Sequence, residues 1–179
     1  MRDRYPWLMT DERMGNRLWA ALRALPPGSG VVFRHHGTPA AERRRLHARV
    51  RRIALARRLV LVVAGSVPLA GDGIHGARVG RGLRTWPAHD RREAIAGVRA
   101  GADLLFVSPV HATRSHPGAR AIGPMRAARI GAGLGIPVIA LGGMDAQRWG
   151  RIAALGFQGW AAIDALHPRP DQKRKAVPR

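Results

Sequence analysis

The chain has no cysteine, one tyrosine, three phenylalanines and only 11 acidic residues among 179. Without cysteine, disulfides and thiolate metal sites are excluded. Aromatic residues make up 5%, and no interleaving of arginine with aromatic side chains marks a surface for stacking bases. Long hydrophobic runs are missing as well. The longest, residues 59–64, is far too short to cross a bilayer. The opening MRDRYPWLMTDER stays polar instead of turning from charged to apolar, so no secretory signal is expected. No G-x-G-x-x-G follows an apolar run, which leaves a dinucleotide site without support. These absences lead us to expect a soluble cytoplasmic protein with no membrane partner.

What the chain has in excess is arginine. Lys+Arg is 31, nearly all of it Arg, and the formal net charge is +20. Such a balance attracts phosphates, whether on nucleic acid or on small anions. It is equally the result expected if arginines simply line solvated helix faces. The hydrophobic fraction of 46% is ordinary for a globular protein. The length suits one domain with a sizeable core, which we assign to residues 1–167. Residues 168–179 (RPDQKRKAVPR after Pro168) have nothing to bury and are expected to form a disordered basic tail.

The patterning predicts eight short strands with helices between most of them. Strands are expected at 7–10, 30–35, 59–64, 72–76, 83–89, 103–110, 137–141 and 159–163. Helices are expected over 16–25, from Pro39 to about Arg57 with Thr38 as cap, over 91–100, from Pro124 to about Gly131, and after Asp145. Asp90 followed by Glu93 reads as a capping box. In the second helix Leu46, Val50, Ile53 and Leu55 are placed toward the core, and arginines cover more than one face. Apolar runs such as 104–110 and 137–141 are the mark of parallel strands covered on both faces. The fold class that follows is α/β, a compact (β/α)8 TIM barrel. Because such barrels typically need about 250 residues, the crossovers after strands three and four must be shortened to loops. An open doubly wound sheet is the structural competitor.

The chemistry-bearing residues cluster at predicted strand ends, which in a barrel share one face. His35, His36, His75, His89, His111 and His116 all lie at or just beyond such ends. They could bind a metal, contact an anion, or satisfy local hydrogen bonds only. Thr113, Arg114, Ser115 and His116 form a polar loop after strand six that suits a phosphate or pyrophosphate. Gly142-Gly143, between an apolar strand and a helix, would let the backbone approach a ligand. The end of strand eight, at Ile163 and Asp164, would complete a phosphate site of the kind barrels build after their last two strands. Arg34 ends an otherwise apolar strand and must find a ligand, an ion pair or solvent. A position pointing into the site is preferred over a structural ion pair.

The residues resemble the thiamine phosphate synthase and TenI superfamily over about residues 7–166. The resemblance is carried by Leu8-Met9-Thr10-Asp11, Phe33-Arg34, Gly73-Ile74-His75, Ala88-His89, Gly101-Ala102-Asp103, Ser108-Pro109-Val110, Thr113-x-Ser115 and the run from Ile136 to Met144. It implies a (β/α)8 barrel. It also implies a reaction in which a pyrimidine diphosphate loses pyrophosphate with Mg²⁺ assistance and a thiazole phosphate captures the pyrimidine. By that resemblance Arg34 would contact the pyrophosphate. Thr113, Ser115 and the His116 position would line the diphosphate loop, and Gly142, Gly143, Ile163 and Asp164 would hold the thiazole phosphate. Phosphorylated pyrimidine and thiazole are the implied partners. Nucleic-acid binding through the basic helix and tail ranks last, and a homo-oligomer is compatible with the sequence.

The departures from the family pattern are specific. Its strand-two glutamine is Val32 here, and the lysine two residues after the arginine is His36. Its Asn-Asp after strand three appears as Ala64-Gly65, and its aspartate after strand four falls among Val79–Arg81. The loop lysine is His116, and the strand-five serine position is Pro87. Mg²⁺ is therefore expected from the family, while its carboxylate ligands are absent. Cationic side chains such as Arg34, His36, Arg78, Arg114 and His116 could stabilise the departing pyrophosphate instead. We take Arg34, His36 and His116 as the catalytic candidates. The alternatives are a non-catalytic barrel that keeps the phosphate cradle, and a TenI-like thiazole tautomerase, whose catalytic histidine falls at Pro109.

Overall fold

The computed structural model describes residues 6–65, 67–113 and 120–166. Eight parallel strands close into a barrel in sequence order: β1 (Trp7–Met9), β2 (Gly30–Phe33), β3 (Val60–Ala64), β4 (Gly73–His75), β5 (Leu83–Ala88), β6 (Leu104–Val107), β7 (Val138–Leu141) and β8 (Gly159–Ala162). β8 pairs back onto β1 through Trp7 with Ala161 and Leu8 with Ala162. The barrel expectation holds, and the open sheet is excluded by that closing pair.

Five helices cover the outside: α1 (Arg17–Ala24), α2 (Ala40–Ala56), α3 (Arg91–Arg99), α4 (Pro124–Gly131) and α5 (Ala146–Ile152). The connections from β3 to β4 and from β4 to β5 hold no helix among the described residues. The short chain closes a full barrel because these two crossovers are loops.

The strand parity fixes what faces inward. Phe106 on β6 meets Trp7 on β1 edge-on at 5.3 Å and His75 on β4 at 5.5 Å. None of these strands is adjacent to another, so the three rings meet inside the barrel. Trp7 pairs in register with Gly30, and the indole lies where a Gly30 side chain would stand. Gly30 and Val32 therefore face inward, and Arg34 continues that series beyond the end of β2. Phe33 faces outward, where it stacks on His35 at 4.9 Å and meets His47 of α2 at 5.3 Å.

Two local expectations are corrected. Thr38 does not cap α2: the cap position is Pro39, and no side-chain cap hydrogen bond forms. The buried stripe of α2 is Arg43, His47, Val50 and Ala54, with Leu46 and Ile53 packed partly beside it, whereas Leu55 is 62% exposed. A helix advances about 100° per residue, so centring the stripe on Val50 and Ala54 carries Leu55 out to solvent. The capping box forms with its return bond shifted by one residue. Asp90 accepts from the Glu93 amide, and the Glu93 carboxylate accepts from the amide of His89, one residue before the cap. Arg114, Ser115, His116 and residues 168–179 lie outside the described residues.

Candidate functional site

All strands run in one direction, so their C-terminal ends form one mouth. Over β1 and β2 the mouth is organised by Thr10. Its buried hydroxyl accepts the Arg34 amide at 3.0 Å and lies 2.9 Å from His35 Nδ1. The Arg34 side chain then folds over the strand end: Nε donates to the Thr10 carbonyl at 3.0 Å, and Nη2 to Asp11 Oδ2 at 2.9 Å. The preference against an ion pair for Arg34 is thus corrected, because the turn after β1 brings Asp11 beside it. The guanidinium remains at the mouth, with 22% of the side chain exposed.

Asp11 is held on its other flank by Arg13, through Nε at 2.6 Å and Nη2 at 2.9 Å. The Arg13 hydrogen bonds outweigh burial and, with the charge of Arg34, lower the Asp11 pKa to about 2. Glu12 is also engaged: its Oε1 accepts the Gly37 amide at 2.9 Å.

The five described strand-end histidines do not converge, and His116 lies outside the described residues. His35 is buried in the wall between Thr10 and Phe33. His89 is exposed and paired with Glu93 at 2.8 Å. His111 lies by the end of β7, its Nε2 buried without a partner. Of these five, His36 and His75 share the Arg34 side of the mouth. Among the described residues no three His, Asp or Glu side chains could hold a metal together.

His75 lies within the barrel, its Nδ1 2.9 Å from Thr85 Oγ1. Burial, followed by the charges of Arg34 and His36, lowers its pKa from 6.5 to about 4. Between those two values the unfolded chain binds a proton that the folded chain refuses, so stability falls as pH drops through the window. Wild type should therefore lose more stability between pH 7 and pH 5 than His75→Asn does, read as urea midpoints. Equal losses in the two proteins would contradict this placement of His75.

On the far side, Gly142 and Gly143 follow β7 with φ of 95° and 60°. A Cβ on Gly142 would stand 2.7 Å from Pro109 Cα, and one on Gly143 would strike the carbonyl of Ala112. The loops after β6 and β7 thus approach more closely than a side chain permits. His111 donates its amide to the Gly142 carbonyl at 3.0 Å, and Arg148 donates to the Gly143 carbonyl. Asp145 caps α5 by accepting the Arg148 amide at 2.8 Å. Ile163 and Asp164 follow β8 beside this glycine pair, as the β7–β8 pairing requires. Thr113 stands at the last described position of the β6 loop.

One residue at the mouth is not marked out by the sequence. Arg43 of α2 is 6% exposed and reaches over the ends of β2 and β3. Nε donates to the His35 carbonyl at 3.1 Å, and Nη2 to those of Arg34 at 3.2 Å and Ala64 at 2.5 Å. The available signal was its place in the helical stripe with His47 and Val50. A recess of about 590 Å³ lies at the opposite end of the barrel, below the starts of β7 and β8. Its lining, which includes Gly131, Pro137, Phe157 and Gln158, carries no charge and suits no anion.

Comparison with known proteins agrees with this geometry. The family model described as thiamine monophosphate synthase matches residues 77–166. A thiamine-phosphate synthase of Geobacillus kaustophilus is 31% identical over 165 residues, covering 81% of this chain and 75% of the relative. One from Chloroflexus aurantiacus is 28% identical over 165 residues, covering 82% and 76%. Among solved structures, the thiamine phosphate pyrophosphorylase of Pyrococcus furiosus superposes with a TM-score of 0.76 at 22% identity, covering 89% of this chain and 85% of that one. That last likeness concerns the fold.

Proposed function

The chain belongs to the thiamine monophosphate synthase family, and from that premise we propose that it joins a hydroxymethylpyrimidine diphosphate to a thiazole phosphate. The bond from the pyrimidine methylene carbon to the diphosphate oxygen breaks, and pyrophosphate leaves with the electron pair. The lone pair of the thiazole ring nitrogen forms the new C–N bond, and that nitrogen becomes cationic in thiamine phosphate.

The observation that carries this reading is the division of the mouth. A cationic half around Arg34 suits a departing pyrophosphate, and a glycine-built half at Gly142-Gly143 suits a smaller phosphate. In this scheme Arg34 meets the negative charge that develops on the leaving group, where a fixed donor acts most strongly. His36 stands beside it as a second polar contact. The amides around Gly142 and Gly143, with the strand-eight end at Ile163 and Asp164, hold the thiazole phosphate. By the family resemblance Thr113, Arg114, Ser115 and His116 belong to the diphosphate loop. A cytoplasmic setting fits such substrates, and no described helix is long and apolar enough to cross a membrane.

The family is Mg²⁺-dependent in general, but the donor set here does not suit that ion. Divalent magnesium is held by carboxylates together with substrate oxygens. Both Asp11 oxygens are engaged by Arg13 and Arg34, and Glu12 caps the Gly37 amide. At the end of β3 stand Ala64 and Gly65, overhung by the Arg43 guanidinium. We therefore route no step through a metal.

The donor set also favours a second reading, a barrel that binds thiamine phosphate without making it. Purified protein mixed with both substrates, with and without Mg²⁺, separates the two. Thiamine phosphate, followed by fluorescence after oxidation, is the expected product. Its absence under both conditions, with thiamine phosphate still binding, would leave the binding-only barrel.

A further inference from the structure

We propose that the mouth over β2, β3 and β4 is a pyrophosphate cradle made of protein cations, with Arg43 and His36 occupying the space over the end of β3 where the family pattern expects a metal-binding carboxylate. The proposal deepens the synthase reading above and rests on it for the identity of the diphosphate ester.

Arg43 is a buried cation with no direct ion pair among the described residues, and the carboxylate that acts on it is Glu12. Its hydrogen-bond partners are all backbone carbonyls, those of Arg34, His35 and Ala64. Nη1 makes no hydrogen bond among the described residues. Carbonyl dipoles hold a guanidinium in place, but they do not neutralise it, and burying unneutralised charge is costly. At this point of its buried stripe an ordinary barrel helix presents an apolar side chain. The arginine instead reaches the strand ends at the mouth.

The space it fills is defined by Gly65. A Cβ there would stand 3.5 Å from Arg43 Nη2 and 3.5 Å from His36 Nδ1. Guanidinium and imidazole thus face one point above the end of β3. His36 is itself exposed, so the point is open to a ligand. His75 on β4 feels the charges of both Arg34 and His36, which places those side chains on the same side of the mouth.

Arg13, Arg34 and Arg43 face Asp11, Glu12 and, beside Arg13, Asp164, so the cluster is close to neutral, and what it offers an anion is directed N–H groups rather than net charge. With Nε and Nη2 of both arginines engaged, their Nη1 groups are the donors that remain for phosphate oxygens. As the carbon–oxygen bond breaks, the electron pair moves onto pyrophosphate, and these fixed cations meet the charge that a bound metal would otherwise neutralise. No proton needs to move.

Titration calorimetry of the full chain with inorganic pyrophosphate tests this, in EDTA and again in millimolar Mg²⁺. Pyrophosphate is expected to bind in EDTA, with no gain in affinity from Mg²⁺. Arg43→Met should weaken that binding by tenfold or more. His36→Ala, at an exposed position that leaves the carbonyl ties of Arg43 intact, should weaken it severalfold and guards against a folding defect in the first variant. Binding that requires Mg²⁺ would overturn the proposal. So would binding in EDTA that neither substitution changes, because it would then be a general effect of the +20 charge. The synthase reading fails separately: pyrophosphate binding in EDTA without product formation would keep the cradle and remove the enzyme. Product formation only with Mg²⁺, together with Mg²⁺-dependent pyrophosphate binding, would do the reverse.

Discussion

Arg34→Ala is expected to lower thiamine phosphate formation by about 100- to 1,000-fold, the usual loss when a fixed donor to developing negative charge is removed. The side chain reaches the mouth because it continues the inward series of Gly30 and Val32, and because the Thr10 carbonyl and Asp11 fix the Nε–Nη2 edge of the guanidinium. Asp11 keeps its pairing with Arg13 after the substitution, so no carboxylate is stranded. The folded state should survive, with a melting temperature within a few degrees (~) of wild type, because the half-buried Asp11 keeps its second guanidinium. Arg34→Lys should recover little, since one ammonium cannot bond the Thr10 carbonyl and Asp11 in the same fork. With Asp11 held near 2, the ion pair is intact throughout the neutral range, so the loss should not depend on pH there. Single-turnover product formation, alongside circular dichroism, measures both arms. A variant that turns over as wild type would assign Arg34 to the ion pair alone.

The contrast between Arg34 and Arg43 shows how far the sequence could be read. Apolar runs identified β2, β3, β6 and β7, because burial on both faces leaves one signature, whereas β4 (GIH) and β5 (LRTWPA) are partly exposed and were placed by the glycine and proline around them. Helix starts at Asp90 and Asp145 were legible because a carboxylate before an amphipathic run has few other uses. Side-chain direction was not. Six histidines at strand ends looked equivalent in the sequence, yet parity sends His75 into the barrel and His35 into the wall behind it. Arg43 was hidden among neighbouring arginines on α2, and only the phase of the buried stripe separates it from Arg44 and Arg45. A charged residue facing inward breaks the binary pattern on which sequence reading depends. Such breaks are expected where a fold serves a ligand.

The glycine half of the mouth gives the other large effect, and the structure supplies its own control. Gly142 and Gly156 both have φ of 95°. A Cβ on Gly156 would meet nothing within 4 Å, whereas one on Gly142 would stand 2.7 Å from Pro109 Cα and 3.2 Å from the Val110 nitrogen. Gly156→Ala therefore measures the backbone conformation alone, roughly 1 kcal/mol of lost stability. Gly142→Ala carries that cost and also drives the β6 and β7 loops apart, adding about 1–3 kcal/mol for overpacking against backbone atoms that cannot rotate away. The displaced loop holds the His111 amide against the Gly142 carbonyl and leads to Thr113. Spreading it should raise KM for the thiazole phosphate by about tenfold or more, because misplaced phosphate contacts lose their geometry. Little change is expected in KM for the pyrimidine diphosphate, whose cationic half lies across the mouth. Gly156→Ala, at the far end of β8 from the mouth, should leave both KM values unchanged. If Gly142→Ala matches Gly156→Ala in both stability and KM, the glycine serves the turn rather than a ligand, and the phosphate cradle must be sought elsewhere on the mouth.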